Sequence, residues 1–307
     1  MIDRFPLALP HGITLSCRAA GERGRPLLVL LHGFPEGAFV WDPLLAHFSD
    51  PAHGGYRCVA PNLRGYEASS CPADPRDYRP RHLVQDIAAL IAAEGGGAPA
   101  AAVVAHDWGG AVAWNLANQH PALMQRLAIL NSPHPGAFVR ELRDNPAQQQ
   151  ASAYMNFLAR PDAAALLAQD DYRRLWPFFT TGPGGTTGAA WLSDAVKDRY
   201  RALWRGGEGL AGGCRYYSAS PLRPPTAGDP GAAAVELPDE AVRVDLPTLV
   251  LWGLQDAALL PGLVDGLERW VPRLQLQRWP DASHWLVHEH PQRVLGAIAD
   301  FLGSGHA

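Results

Sequence analysis

Short apolar runs alternate with helix-like stretches through much of the chain. The apolar runs are rich in Leu, Val and Ile and end in turn residues, and most are apolar throughout, which is typical of strands buried on both faces of a parallel sheet. They lie at residues 26–32, 56–61, 101–105, 127–130, 248–252 and 274–279. The helix-like stretches lie at 80–93, 110–119, 261–270 and 291–302. This alternation predicts an α/β fold with a doubly wound, mostly parallel sheet flanked by helices.

The alternation stops after Asn131 and resumes near Leu246. The intervening segment is rich in aromatic residues, has a mostly helical pattern, and closes with a Pro-, Gly- and Ala-rich stretch at 221–234 that predicts a loop. We therefore predict a core formed by residues 1–132 and 240–307. Residues 133–239 are predicted to be a mainly helical cap and linker inserted into that core.

Composition narrows the class of protein. The chain has 307 residues, 47% of them hydrophobic and 18% charged, with a net charge of −4 and no basic run, which disfavours a nucleic-acid partner. No apolar run is long enough for a membrane span, and the N-terminus has no apolar signal segment. Four scattered cysteines without metal-ligand spacing predict reduced thiols, a cytoplasmic location, and neither metal nor cofactor. The sequence leaves a homodimer open.

Asp107 occupies the turn of a strand–turn–helix unit that spans residues 103–112. Small residues two positions before and after it, Ala105 and Gly109, allow the sharp turn of a nucleophile elbow, which pushes one side chain into a pocket. A carboxylate there attacks saturated carbon and forms an ester, so it suits epoxide opening or halide displacement. It is a poor nucleophile toward carboxylic esters and amides. We predict that Asp107 is the nucleophile.

The sequence His32-Gly33-Phe34-Pro35 follows an apolar strand and could be an ordinary turn. Beside an elbow, however, such a loop supplies one backbone N–H of an oxyanion hole, and the residue after the nucleophile supplies the other. We predict that these donors are Phe34 and Trp108, and that His32, Pro35 and Trp108 contact the substrate. A hydrogen-bonded core position is the competing interpretation of His32, and also of His106.

His284 lies in a loop between the last apolar run and the last helix-like stretch, where a general base would be expected. Asp256 follows the run at 248–252 and is the candidate to orient it, since the order nucleophile, acid, histidine is that of this kind of fold. Asp281 is nearer in sequence but sits in an exposed turn. His288 and His290 are expected to belong to the following helix start.

Taken together, these motifs resemble the α/β-hydrolase superfamily, and within it the epoxide hydrolases, over about residues 4–302. In that fold the strand before the insertion is strand 6. The resemblance implies that Tyr154 and Tyr217, in the cap, protonate the epoxide oxygen; both could instead be cap-core aromatics. The segments that carry the likeness are His32-Gly33-Phe34-Pro35-Glu36, Ala60-Pro61-Asn62-Leu63-Arg64-Gly65-Tyr66, His106-Asp107-Trp108-Gly109-Gly110, Tyr154 to Pro161, and Tyr216 to Pro221.

The resemblance implies an enzyme that converts a small apolar epoxide and water to a vicinal diol. Haloalkane and haloacid dehalogenases share the aspartate elbow and form the alternative. Three positions disfavour them. Trp108 stands where fluoroacetate-type enzymes have arginine, and Phe34 stands where haloalkane dehalogenases usually have a polar halide-binding residue. Asn131 lies in the place where several dehalogenases have the carboxylate that orients the histidine. A non-catalytic, ligand-binding member of the superfamily is a further alternative. The effect of Ser218 beside Tyr217, where relatives often have arginine, is not evident.

Overall fold

Eight strands form the central sheet in a computed structural model that describes residues 1–180, 189–205 and 208–303, the side chains of 208 and 209 excepted. The strands are β1 (Asp3–Ala8), β2 (Thr14–Ala20), β3 (Leu27–Leu31), β4 (Arg57–Pro61), β5 (Ala102–His106), β6 (Leu127–Leu130), β7 (Thr248–Gly253) and β8 (Leu274–Trp279). Their order is β1-β2-β4-β3-β5-β6-β7-β8. The β1–β2 and β2–β4 pairs are antiparallel, and the remaining pairs are parallel.

The described helices divide into those that flank the sheet and those of one long insertion. The flanking helices are α1 (Asp42–Phe48), α2 (Pro80–Glu94), α3 (Trp108–Gln119), α11 (Leu286–Glu289) and α12 (Pro291–Gly303). Between β6 and β7 lie α4 (Pro135–Asp144), α5 (Pro146–Ala151), α6 (Tyr154–Leu158), α7 (Ala163–Tyr172), α8 (Pro177–Thr180), α9 (Asp194–Trp204) and α10 (Glu208–Ala219). We call residues 131–247 the insertion.

Alternate residues of each central strand face opposite sides of the sheet. In β3, Val29 and Leu31 join the cluster formed with α2, α3 and the insertion, whereas Leu28 and Leu30 join the cluster formed with α1 and α12. All five residues of β3 are buried. Coverage of both faces is what makes the central strands apolar throughout, because neither side chain of an alternating pair meets water.

The predicted α/β-hydrolase fold class is confirmed, and the six apolar runs correspond to β3 through β8. Two strands were missed: β1 and β2 precede the first apolar run, and β1 is an edge strand whose side chains are mostly exposed or half-buried. Such a strand is held by backbone pairing with its neighbour, so its sequence carries little apolar signal.

The predicted helix at 261–270 is wrong. This stretch instead forms two separate 3₁₀ turns, Pro261–Val264 and Leu267–Arg269. Gly266 lies between them with φ of 70°, in the left-handed region that glycine enters readily and that ends a right-handed helix. Among the residues that the structure describes, no helix has the length and apolarity needed to cross a bilayer.

A buried ion pair joins β4 to α2. The Arg57 guanidinium donates two hydrogen bonds, of 3.0 and 2.8 Å, to Glu94 Oε2, and both side chains are almost completely buried. Removing one partner of such a pair leaves the other charge buried and unpaired, which is strongly destabilising even where the intact pair adds little.

We predict that Glu94→Gln lowers the free energy of unfolding by about 3 kcal/mol or more, because it leaves the Arg57 charge uncompensated. Urea denaturation monitored by circular dichroism would measure this. Asp162→Asn is the control, since Asp162 forms a solvent-exposed pair with Arg160 and its replacement should change stability little. Equal stability of the two variants would contradict the prediction.

Candidate active site

Asp107 sits at a sharp turn between β5 and α3. Its backbone has φ of 50° and ψ of −123°, a strained conformation for a residue with a side chain, and one that aims the carboxylate away from the strand. Gly109 makes the turn feasible, because a Cβ there would collide with the carbonyl oxygens of Leu31 and His32. The Ser132 hydroxyl donates to the Asp107 carbonyl at 2.6 Å and so secures the turn from β6.

The Phe34 N–H donates a 2.7 Å hydrogen bond to Asp107 Oδ1. This contact follows from the sheet: β3 and β5 are parallel neighbours with Leu31 opposite Ala105, so their carboxyl ends lie side by side. A Cβ on Gly33 would overlap the carboxylate, so a glycine is needed there. On the other side of Asp107, Trp108 begins α3, whose amino end favours negative charge.

Asp107, His284 and Asp256 are brought together at this edge of the sheet. His284 Nε2 lies 3.8 Å from Asp107 Oδ2, and His284 Nδ1 lies 2.7 Å from Asp256 Oδ2. Asp256 follows β7 and is 1% exposed. Its Oδ1 accepts from the N–H groups of Ala258 and Leu259, at 2.8 and 2.9 Å. Geometrically this is a nucleophile–base–acid arrangement.

The charges around His284 set its affinity for a proton. Burial alone would lower the pKa of the imidazole, but the Asp256 and Asp107 carboxylates outweigh burial and raise the pKa to about 9. Burial would also raise the pKa of Asp256, yet His284 and hydrogen-bond donors keep it below its usual value. With Asp107 ionised, His284 is therefore protonated at neutral pH.

Tyr154 and Tyr217 both face the cavity above Asp107. Tyr154 begins α6 and Tyr217 lies in α10; their rings are 6.1 Å apart and meet edge to face. The Tyr217 ring also packs edge-on against Trp108 at 5.0 Å and Phe34 at 5.4 Å. Burial raises the pKa of both hydroxyls above the ordinary value, and the Asp107 charge adds to the rise. Both tyrosines are therefore protonated at neutral pH.

Two cavities meet at Asp107, Tyr154 and Tyr217, which line both. One, of about 370 Å³, has mainly apolar walls that include Trp108 and Phe138; we call it the apolar arm. The other, of about 550 Å³, contains Asp256 and His284; we call it the polar arm. Among the described residues, no cluster of His, Cys, Asp or Glu has an arrangement that could hold a metal ion.

The structure places His32, predicted to contact substrate, outside the described linings of both arms. His32 is completely buried; its Nε2 accepts from the Leu63 N–H at 3.0 Å, and its Nδ1 is 2.9 Å from the Gly33 carbonyl. His32 therefore braces the loop beneath the site, as the competing interpretation held. Pro35 is also absent from the described linings of both arms, and its carbonyl accepts from the Trp204 indole at 2.7 Å. Trp108 does line the apolar arm.

Glu36 has a role that sequence reasoning missed, although it belongs to the motif after β3. Its Oε1 accepts from the Tyr200 hydroxyl and lies close to His288 Nε2, both at 2.6 Å, and its Oε2 is 3.3 Å from His106 Nδ1. Burial would raise the pKa of Glu36, but His288 and His106 hold it well below its usual range. His106 Nε2 in turn lies 2.9 Å from the His284 carbonyl.

Asn131 was noted in the sequence only as a position without a carboxylate. In the structure its amide nitrogen donates to Asp256 Oδ2 at 2.7 Å, and its amide oxygen accepts from the Gly253 N–H at 2.8 Å. Its φ of 37° is unusual for a residue with a side chain. Asn131 therefore fixes the oxygen of Asp256 that also contacts His284.

Comparison with known proteins identifies the class. Residues 26–291 match the family model of the alpha/beta hydrolase fold, and the chain belongs to that family. Within it the chain is similar to epoxide hydrolases.

Two curated relatives illustrate the similarity in sequence. The AB hydrolase superfamily protein YfhM of Bacillus subtilis is 34% identical over 293 residues, which cover 95% of each chain. Epoxide hydrolase 3 of Xenopus tropicalis is 33% identical over 95% of this chain and 75% of its own.

Solved structures agree with this placement. An epoxide hydrolase from hot-environment metagenomes superimposes with a TM-score of 0.84 at 33% identity, over 99% of this chain and 100% of the other. The Bacillus megaterium epoxide hydrolase in complex with an inhibitor also gives 0.84, at 29% identity, over 98% of this chain and all of its own. The chain is thus a hydrolase of the α/β-hydrolase superfamily and is epoxide hydrolase-like.

We predict that Asp107→Asn lowers the pKa of His284 by about one unit or more from its value of about 9, because one of its neighbouring carboxylates becomes neutral. Titration of the imidazole by ¹⁵N NMR would measure the change. Asp281→Asn is a suitable control, since Asp281 is near in sequence but exposed and bonded to Arg293. An unchanged pKa in Asp107→Asn would show that the two groups are not coupled.

Proposed function

We propose that this protein is an epoxide hydrolase that uses Asp107 as a covalent nucleophile. The observation that carries the proposal is a carboxylate at the elbow with two protonated tyrosines facing the same cavity, which matches what an epoxide needs at its carbon and at its oxygen. The similarity to epoxide hydrolases from animals and bacteria supports it.

In the first step Asp107 Oδ2 attacks one epoxide carbon. Oδ1 is held by the Phe34 N–H, which leaves Oδ2 as the freer oxygen. A C–O bond forms between Oδ2 and carbon while the ring C–O bond breaks, and the released oxygen takes a proton from Tyr154 or Tyr217. A hydroxyalkyl ester of Asp107 results. The tyrosines suit this task because burial keeps them protonated until an alkoxide develops beside them.

In the second step His284 activates water. Esterification removes the negative charge of Asp107, so the pKa of His284 falls. The imidazole then returns its proton, by way of solvent, to the tyrosinate left by ring opening, which restores the tyrosine and frees His284 to act as a base. It then deprotonates a water that attacks the ester carbonyl carbon. The N–H groups of Phe34 and Trp108 stabilise the resulting oxyanion, a contribution of about 3 kcal/mol per donor. Collapse of the tetrahedral intermediate releases a vicinal diol and restores Asp107.

The insertion supplies the acids, and we propose that residues 133–239 act as a cap on a core of residues 1–132 and 240–307. Tyr154 and Tyr217 both belong to that cap. Cytoplasmic location and a homodimer remain predictions. Dehalogenation by the same nucleophile is the alternative function, and the tyrosines are the feature that separates the two reactions.

We predict that His284→Gln still forms the ester but fails to hydrolyse it, because alkylation of Asp107 does not need the base. Intact-mass and peptide spectrometry after incubation with styrene oxide should show the substrate mass on the peptide that contains Asp107. Asp107→Asn, treated identically, should carry no such mass. Normal steady-state turnover by His284→Gln would contradict the role of His284.

Replacing Tyr154 or Tyr217 with Phe should slow ring opening by about a hundredfold or more, the usual contribution of a general acid. Single-turnover kinetics of ester formation with an epoxide would measure it, with a chloroalkane or haloacid assayed in parallel. Tyr172→Phe is a control from the same insertion, since Tyr172 packs on Trp204 and lines neither arm among the described residues. If the variant with both Tyr154→Phe and Tyr217→Phe kept full epoxide turnover but lost dehalogenation, the dehalogenase function would be favoured instead.

A further inference from the structure

The two arms differ in charge. Among the described residues that line the apolar arm, Asp107 is the only one with a charged side chain. Part of its wall comes from the end of the insertion, where the lining side chains include Leu222, Val235, Leu237 and Val242. A cavity of about 370 Å³ with such walls favours an apolar group, and its described lining offers no positive charge to an ionised one.

The polar arm also has aromatic walls, which include Phe178 and Trp285, but it differs from the apolar arm in carrying several charged groups. Asp256, His284 and Glu289 line it together with Asp107, so three carboxylates face this space or its edge. Glu289 accepts from the N–H and the hydroxyl of Ser283, at 2.8 and 2.6 Å, which fixes its carboxylate next to the histidine loop. Water and hydroxyl groups find partners here, and an alkyl or aryl group would desolvate charged groups without replacing their hydrogen bonds.

The position of His284 restricts the orientation in which a substrate can bind. It lines the polar arm and is not among the described residues that line the apolar arm. Its Nε2 is 3.8 Å from Asp107 Oδ2, so the water that it activates has to reach the ester from the polar arm. A large substituent in that arm would occupy the water's position after ring opening and trap the ester.

We propose that the preferred substrates are epoxides with one long, neutral apolar substituent, which lies in the apolar arm while the polar arm is kept for water. This inference rests on the proposed epoxide hydrolase function. Epoxides with bulky groups on both carbons place one of them beside His284. Substituents that end in a carboxylate meet no counter-charge in the described lining of the apolar arm, and in the polar arm they would compete with water for His284.

Two exposed alanines provide a matched pair of variants. Ala241 lines the apolar arm and Ala257 lines the polar arm, and both are solvent-exposed, so a larger side chain can be accommodated without disturbing the core. Ala241→Trp narrows the apolar arm, and Ala257→Trp narrows the polar arm. Thermal unfolding of both variants checks that the fold is retained.

The experiment measures kcat/KM for 1,2-epoxybutane and 1,2-epoxydecane. In the parent, kcat/KM should rise about threefold per methylene group until the arm is filled, as expected for transfer of each group from water to an apolar site. Ala241→Trp should lower the ratio of kcat/KM for 1,2-epoxydecane to kcat/KM for 1,2-epoxybutane by about tenfold. Ala257→Trp should leave this ratio within about twofold of the parent's.

The isomers 1,2-epoxydecane and 5,6-epoxydecane test whether the polar arm must stay free for the water that hydrolyses the ester. They have the same composition, but the second places a butyl group in each arm. During turnover of 5,6-epoxydecane the Asp107 ester should accumulate, as seen by rapid quench and intact-mass spectrometry. With 1,2-epoxydecane the ester should be hydrolysed at least tenfold faster.

The assignment of the arms is overturned if Ala257→Trp rather than Ala241→Trp lowers the ratio, if both lower it equally, or if neither does. Equal ester hydrolysis rates for the two isomers would overturn the role of the polar arm. Absence of turnover of every epoxide by the parent protein is a different result, because it removes the proposed function itself rather than the orientation of its substrate.

Discussion

The hydrogen bond from the Phe34 N–H to Asp107 Oδ1 is the contact on which the site depends. It forms only if β3 and β5 are neighbours in register, if the chain turns sharply after each, and if Gly33 and Gly109 carry no side chain. It also assigns different tasks to the two oxygens of one carboxylate. In the proposed mechanism, the oxygen held by the backbone becomes the site of negative charge in the second step, and the other is left to form the ester.

A second set of contacts connects this edge of the sheet to the insertion. Glu36 contacts Tyr200 of α9, His288 of α11 and His106 of β5 through hydrogen bonds or close ion-pair distances. His106 then contacts the carbonyl of His284. One buried carboxylate therefore connects the insertion, the strand before Asp107 and the loop that carries His284. Because an unpaired charge at this depth would be costly, the three partners are held in a single arrangement.

Much of the fold was predictable because the central strands are buried on both faces and thus apolar throughout. Edge strand β1 was missed because backbone pairing rather than apolar pattern holds it, and the helix predicted at 261–270 was wrong because Gly266 adopts a left-handed conformation. The elbow was recognisable from local spacing alone. The contacts of Glu36 and Asn131 were not, since they join residues 70 or more positions apart and depend on where the sheet brings them together.

In the proposed mechanism, the charge of Asp107 also determines the order of the two chemical steps. Asp256 receives donors from Asn131, Ala258 and Leu259 in addition to His284, so its charge is fixed throughout the cycle. Asp107 is the neighbouring carboxylate whose charge would change in that mechanism, because it alone is proposed to become an ester. While it is ionised, its charge favours the imidazolium and His284 is a weak base; once it is esterified, that support disappears and His284 can accept a proton from water. In the proposed cycle, His284 thus becomes competent as a base only when there is an ester to hydrolyse.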